Sequence, residues 1–293
     1  NALLDYGLIF GNFGLPRLEL VGAGIATTAV NILMVLALAA VIQWRRPFNK
    51  YQLFVRFWRP DWRIFRQIFR IGAPIAAISV MEAGFFIGAV FVIGQFGAVA
   101  IAAHMIAMQM PHITFMVPMG LSQAATVRVG HAAGRRDVAG AYRAGWSAIA
   151  VSVLFAAVMT GVIVTVPEPF AGLFLDTARA DAAEVLSLAA ALLMLAAMFQ
   201  IVDALQAVAA GALRGLNDTA FPMVIAGVSY WGLGAGSAVW LAFGAGFETR
   251  GIWIGFVIGL TAAAVLLIRR FRTQQRQRYL PDIIKEEAAP LPR

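Results

Sequence analysis

The sequence predicts an all-α, polytopic membrane protein, and three observations carry that prediction. Hydrophobic residues fill 61% of the 293 positions and charged residues only 13%. A soluble domain carries about a quarter charged residues, so this chain cannot clothe a water-facing surface and its solvent is largely lipid. The apolar residues fall in long, continuous, Ala/Leu/Gly-rich runs, which fit helices better than barrel strands. The basic residues return at every second connection between those runs, as they do when basic loops stay on the cytoplasmic side.

Taken in order, the runs sit at roughly 22–42, 72–94, 100–122, 144–166, 185–212, 219–243 and 250–268, and residues 1–12 read as the last part of one more. The chain opens on Asn1 in mid-pattern with no basic-then-apolar leader, so we expect a missing N-terminal part. The first connection holds Arg45, Arg46, Lys50, Arg56, Arg59, Arg63, Arg66 and Arg70. Arg128, Arg135, Arg136 and Arg143 come two connections later, then Arg214, then Arg269, Arg270, Arg272, Arg276 and Arg278 after the last run. Between them fall only Arg17, Arg179 and Arg250, with Glu19, Glu168, Asp176, Asp181, Glu184 and Glu248. Segments 43–71, 123–143, 213–218 and the C-terminus are therefore assigned to the cytoplasmic side. That assignment absorbs the net charge of +8, which in a soluble chain would point to nucleic acid.

The stretch QWRRPFNKYQLFVRFWRPDWRIFRQIFR interleaves rings and arginines, and we read it as an interfacial helix linking two bundles rather than a nucleic-acid surface. The tail after Tyr279 has the composition of a disordered segment. Gly251, Gly255 and Gly259, and Gly84 with Gly88, have the spacing that lets helix backbones approach. Pro74, Pro111 and Pro118 are expected to kink their spans.

Of the fifteen acidic residues, only Asp5, Glu82 and Asp203 fall inside apolar runs. A charge near the bilayer centre costs about 2.5–3.5 kcal/mol on insertion scales. No arginine or lysine lies in a span interior, so the positive partner has to come from outside as a proton, a metal cation or a cationic solute. The competing reading is a protonated carboxyl hydrogen-bonded to a neighbouring helix; low dielectric favours the neutral form. Gln200, Asp203 and Gln206 form a polar stripe, and Ser79, Glu82 and Phe86 share a face. Thr27, Thr28 and Asn31 cluster in the first full run, and His104, Gln109 and His112 add polarity beside Phe115. The two histidines are over two helical turns apart, which favours packing over metal binding. Met105, Met108, Met110, Met116 and Met119 are read as core.

Cysteine is absent, so disulfides and thiolate metal sites are excluded. GLGAGS at 232–237 is not a dinucleotide fingerprint, GHAAGRR at 130–136 lacks the ending of a P-loop, and there is no HExxH. No connection is large enough for a nucleotide domain. We therefore expect neither an enzyme nor a cofactor. An enzyme reading would rest on Arg128, His131, Arg136, Asp137 and Asp218, which we take for loop and cap residues.

GAPIAAISVMEAGFF, AAHMIAMQM with FMVPMGLSQAATVRVGHAAG, MFQIVDALQAVAAGALRGLNDT and NALLDYGLIFGNFGLPRLELVGAGIAT resemble, over nearly the whole chain, the multidrug and toxic compound extrusion (MATE) family. The likeness is strongest to its NorM-like branch. It implies a twelve-helix antiporter of two six-helix lobes that exports cationic, often aromatic compounds in exchange for sodium ions or protons. By that likeness residues 1–42 are the remnant of the first lobe, 43–71 the inter-lobe linker, 72–270 the second lobe and 271–293 a cytoplasmic tail. Helices one to four would then be missing partners of this segment, which alone would not transport.

The resemblance places the cation-binding carboxylates at Glu82 and Asp203, where sodium is the metal to consider. It sets Asn1 and Asp5 on a polar pair of the first lobe. Gln200, Gln206, Asn31 and Gln109 are candidate further ligands, and Phe86, Phe115 and Phe199 candidate stacking partners for a flat cation. Asp5 stands where the branch often has asparagine, and Phe199 where a tyrosine is common. The implied location is the bacterial inner membrane. The runner-up is a lipid-linked precursor flippase of the same superfamily; its anionic substrate would call for basic span interiors.

Overall fold

The computed structural model describes residues 1–45, 60–165, 172 and 181–281. Two compact units emerge, residues 1–66 and 67–293. The first holds α1 (Ala2–Phe10) and α2 (Glu19–Trp44). α1 stops at Gly11, whose left-handed φ of 77° lets its amide cap the Gly7 carbonyl. Gly22 of α2 sits against the Leu8 carbonyl of α1, where a Cβ would come within 2.5 Å of the oxygen.

The second unit contains α3 (Trp62–Ile93, which starts in the first), α4 (Ala98–Gly134), α5 (Val138–Thr165), α6 (Ala182–Gly215), α7 (Ala220–Gly244) and α8 (Glu248–Arg276). No strand occurs among the described residues. α2 to α8 are each long and apolar enough to cross a membrane, which makes this a multi-pass membrane protein.

α4 and α6 form the largest contact, and the residues explain it. Gly211 and Gly215 bring α6 against Ser122 and Thr126 of α4. Ser122 Oγ then donates to the Ala207 carbonyl at 2.7 Å and Thr126 Oγ1 to the Gly211 carbonyl at 2.9 Å. Small residues and interhelical hydroxyls are what hold helices together where lipid removes the hydrophobic drive. α8 lies against α7 through Gly251, Gly255 and Gly259, whose missing Cβ atoms would strike the α7 backbone at Leu241–Ala242, Ala238 and Gly234. Of the other expected pair, only Gly84 has a neighbour, the Trp231 ring at 3.2 Å, while Gly88 faces open space.

α3 is held differently. Among the described residues, no other helix brings its backbone close to α3 over more than an isolated point. Side chains make the connection: Trp231 Nε1 donates to the Met81 carbonyl at 3.3 Å, and the Phe85 ring stacks on Tyr230.

Several expectations change. Segment 123–143 is no loop: α4 runs to Gly134 and α5 starts at Val138, leaving 135–137 as the connection. The stretch is alanine-rich with no proline, and its arginines are solvated without ending the helix. Residues 62–71 are the first turns of α3, capped by Asp61 Oδ1, which accepts the amides of Arg63 and Ile64 at 3.0 and 3.2 Å. They continue directly into the span, exposed as far as Arg70. The rest of the linker, 46–59, lies outside the described residues, as do Glu168, Asp176, Arg179 and the tail 282–293.

Residues 271–276 belong to the bundle, with Phe271 and Gln274 buried. α3 and α4 run through Pro74, Pro111 and Pro118 without ending. Only Met108 and Met110 of the α4 methionines are core; Met105, Met116 and Met119 are exposed. α7 is α-helical only at Ala220–Ala226 and Gly236–Val239, with π-type turns at Gly227–Ala235 and Trp240–Gly244.

One end of the second unit gathers the basic segments. Asp218, in the turn between α6 and α7, accepts from Arg270 Nε at 2.7 Å and Gln274 Nε2 at 2.9 Å. Trp146 of α5 donates to Gln275 at 2.9 Å. These bonds put the α4–α5 connection, the α6–α7 turn and the end of α8 at the same face, as the alternation of arginines requires.

Candidate functional site

Glu82 is half-buried on α3, and its Oε1 accepts from Gln206 Nε2 at 3.2 Å. Gln206 Oε1 in turn accepts the hydroxyl of Tyr230 at 3.0 Å. Gln206 and Tyr230 are buried, so a chain of neutral donors from α7 through α6 ends on the carboxyl of α3. A buried tyrosine needs a partner for its hydroxyl, and here the π-type turn of α7 carries that residue. Wide turns of this kind often mark functional positions.

Asp203 lies one turn before Gln206 on α6 and is 7% exposed. Its Oδ1 has no hydrogen-bond partner, although buried polar atoms nearly always have one. With Gln200, Thr114, Phe115, Pro111 and Pro118 it lines a recess of about 10 Å³, the lower limit for one water. Because Gln206 bonds Glu82 and lies one turn from Asp203, the two carboxyls share one neighbourhood. Neither forms an ion pair among the described residues. Arg214, assigned above to a connection, sits on the last turn of α6, and its charge also reaches Glu82.

Gln200 is committed elsewhere. It donates to Thr160 Oγ1 at 2.8 Å and accepts from Thr114 Oγ1 at 3.0 Å, tying α6 to α5 and α4. These bonds hold the stripe in register, and Gln200 also lines the recess beside Asp203.

The aromatic candidates divide. Phe86 and Phe199 meet edge-on with centroids 5.9 Å apart, inside a cluster with Phe85, Trp253 and Phe256. Phe199 is buried there, so its face is already covered by protein, while Phe86 and Phe115 are half-exposed.

Gln109 points away, exposed on α4. Ser79 is exposed and bonds its own helix at the Ile75 carbonyl. His104 packs edge-on against Trp253 and His112 is exposed. No cluster of three or more metal-ligating residues occurs among the described residues. Asn1, Asp5 and Asn31 belong to the first unit. Asn1 and Asn31 are exposed; Asp5 is half-buried with Oδ1 unpartnered. Asp137 is a cap, as expected, its Oδ1 accepting the Gly140 amide at 2.8 Å.

Sequence reasoning missed Tyr230, Thr114 and Thr160. The only signal for Tyr230 was a lone tyrosine inside an apolar run.

The family model MatE matches residues 74–240, more than half of the chain. The chain belongs to the MatE family. A probable multidrug resistance protein NorM of Rhizobium meliloti (strain 1021) is 45% identical over 271 residues, covering 92% of this chain and 58% of that protein. The corresponding Brucella suis protein is 47% identical, covering 93% and 58%. The multidrug resistance protein NorM of Burkholderia vietnamiensis is 42% identical, with 92% and 58% covered.

Among solved structures, the eukaryotic MATE transporter AtDTX14 superposes with a TM-score of 0.79 at 23% identity, covering 94% of this chain and 61% of that one. An outward-facing multidrug resistance MATE family transporter of the MOP superfamily gives 0.80 at 20%, covering 94% and 60%. The chain thus spans a little under three fifths of its curated MatE relatives.

Proposed function

We propose that this chain is the cation-handling part of an antiporter that exports cationic or aromatic compounds in exchange for sodium ions or protons. One observation carries the reading: two carboxylates, Glu82 and Asp203, share a site with no basic ion-pair partner among the described residues. Arg214 acts on Glu82 without forming an ion pair, and a buried negative charge with no close counter-charge is costly, a cost that a mobile cation removes. Binding of the coupling ion neutralises the pair, and its release restores the charge that attracts a cationic substrate. Exchange follows because the two cations compete for one site, and each shifts the conformational equilibrium only by its differential affinity.

Gln206 and Tyr230 orient Glu82 with neutral donors that leave its charge available. Phe86 and Phe115, half-exposed beside the two carboxylates, present rings for a flat cation. The two lobes of the whole protein rock about the linker 43–71, with the basic ends in the cytoplasm of a bacterial inner membrane. Residues 1–42 belong to the first lobe, and transport requires the rest of it.

The test uses the protein expressed from its complete reading frame, in right-side-out vesicles loaded with ethidium or a fluoroquinolone. Glu82→Gln and Asp203→Asn are each expected to reduce pH- or sodium-driven efflux to the level of empty vesicles. Efflux at the parental rate in both variants refutes the proposal.

A further inference from the structure

A second feature lies away from the carboxylates, between the last turns of α4 and the first turns of α5. A cleft of about 750 Å³ opens there. Its outer rim carries Arg128, His131 and Arg135 from α4 and Arg143 from α5, all exposed. Deeper along the spans its walls turn apolar, with Leu121, Ala124, Ala148 and Val151. The order is basic head, apolar body, along the direction in which a lipid lies.

The cleft follows from sequence. On α4 the positions 121, 124, 128, 131 and 135 recur at helical spacing and so share one face; on α5 the positions 140, 144, 147, 148 and 151 do the same. Gly140, Ala144, Ser147 and Ala148 are small, so the facing stripes leave a gap that larger side chains would close.

Charge in the gap is one-sided. Asp137 is the sole acid of the lining, and its Oδ1 is engaged by the Gly140 amide. Arg128, Arg135 and Arg143 form none of the ion pairs among the described residues. A water-facing arginine cluster needs no apolar floor, and a packed helix seam needs no arginines. Together they fit a phosphate with an acyl chain attached. Basic pockets between spanning helices at one membrane face are the sites where anionic headgroups bind.

We propose that the α4–α5 cleft binds one anionic phospholipid, its phosphate among Arg128, Arg135 and Arg143 and its acyl chain against Leu121, Ala148 and Val151. The lipid fills a gap that no described side chain fills and relieves the mutual repulsion of three arginines. It sits on the helices adjoining the Thr114–Gln200–Thr160 network, so the occupied cleft braces the helices that hold Asp203 in place.

The test is native mass spectrometry of the delipidated protein, expressed from its complete reading frame and titrated with dioleoylphosphatidylglycerol or dioleoylphosphatidylcholine. The parent is expected to bind one phosphatidylglycerol well above the level of phosphatidylcholine. The triple variant Arg128→Gln, Arg135→Gln, Arg143→Gln is expected to lose about 100-fold in affinity for it, at roughly fivefold per arginine. Equal charge removal at the same face, Arg269→Gln, Arg272→Gln, Arg276→Gln, is expected to change that affinity less than threefold. Ala124→Phe keeps every arginine and obstructs the exposed wall; it is expected to abolish the tight binding. Equal losses in both triple variants, tight binding in Ala124→Phe, or displacement of the lipid by 10 mM inorganic phosphate would each overturn the proposal.

Discussion

The hydrogen-bond chain from Tyr230 through Gln206 to Glu82 can be tested by a double-mutant cycle. Gln206→Leu removes two bonds, of 3.2 and 3.0 Å, and strands a hydroxyl that is 1% exposed. The lost bond to the half-buried Glu82 is worth about 1 kcal/mol and the stranded hydroxyl costs about 2 kcal/mol, so the variant loses about 3 kcal/mol. Tyr230→Phe keeps the ring stacked on Phe85 and strands only the Gln206 carbonyl oxygen, at about 2 kcal/mol.

In the double variant both stranded groups are gone, and only the bond to Glu82 remains lost, at about 1 kcal/mol. The sum of the single effects therefore exceeds the double by about 4 kcal/mol, an upper figure that side-chain relaxation trims toward about 3 kcal/mol. Unfolding of the purified protein in mixed detergent micelles measures all three. Additivity within about 0.5 kcal/mol would refute the hydroxyl-to-amide bond and, with it, the view that α7 orients Glu82.

Two further outcomes test the packing. Gly255→Ala puts a methyl group against Ala238, 2.6 Å from its Cα and 2.7 Å from its nitrogen, and should cost about 1–3 kcal/mol. Gly88→Ala meets nothing within 4 Å and should be neutral or gain up to about 1 kcal/mol in helix propensity; equal shifts in thermal unfolding would contradict the α7–α8 contact. Asp218→Asn removes the charge that receives Arg270 and Gln274, and should cost about 1–2 kcal/mol in the same assay. No loss there would mean that the α6–α7 turn is not tied to α8.

Span positions were legible because bilayer thickness imposes a length, and the runs at 22–42 through 250–268 each fall on a helix. Their ends were not. Composition marks where charge meets water, whereas the α4 helix simply continues through Arg128 to Gly134 until a left-handed Arg136 turns the chain. The contact glycines of α8 were readable as spacing, while Gly211 and Gly215 of α6 were hidden in an alanine-rich stretch.

For the site, an acid in an apolar run is conspicuous, so Glu82 and Asp203 stood out. Their partners did not. Gln200 and Gln206 share one stripe yet serve different helices, because the bonds depend on which hydroxyls α4, α5 and α7 bring near. Gln109 had the right chemistry and lies exposed on α4, with no hydrogen bond to either carboxyl. The π-type turns that place Tyr230 leave no mark in hydrophobic periodicity.

The way α3 is attached has a mechanical consequence. α7 and α8 are seated backbone to backbone and cannot slide without collision. α3 is held by side chains instead, the rings of Phe85 and Trp231 and the aliphatic Ala89 and Ile93, so a tilt of α3 meets fewer backbone collisions than a slide of α8 on α7. Glu82 rides on that side-chain-seated helix. On the proposed function, gaining or losing a cation there would act on the helix whose seat is built from side chains rather than backbone.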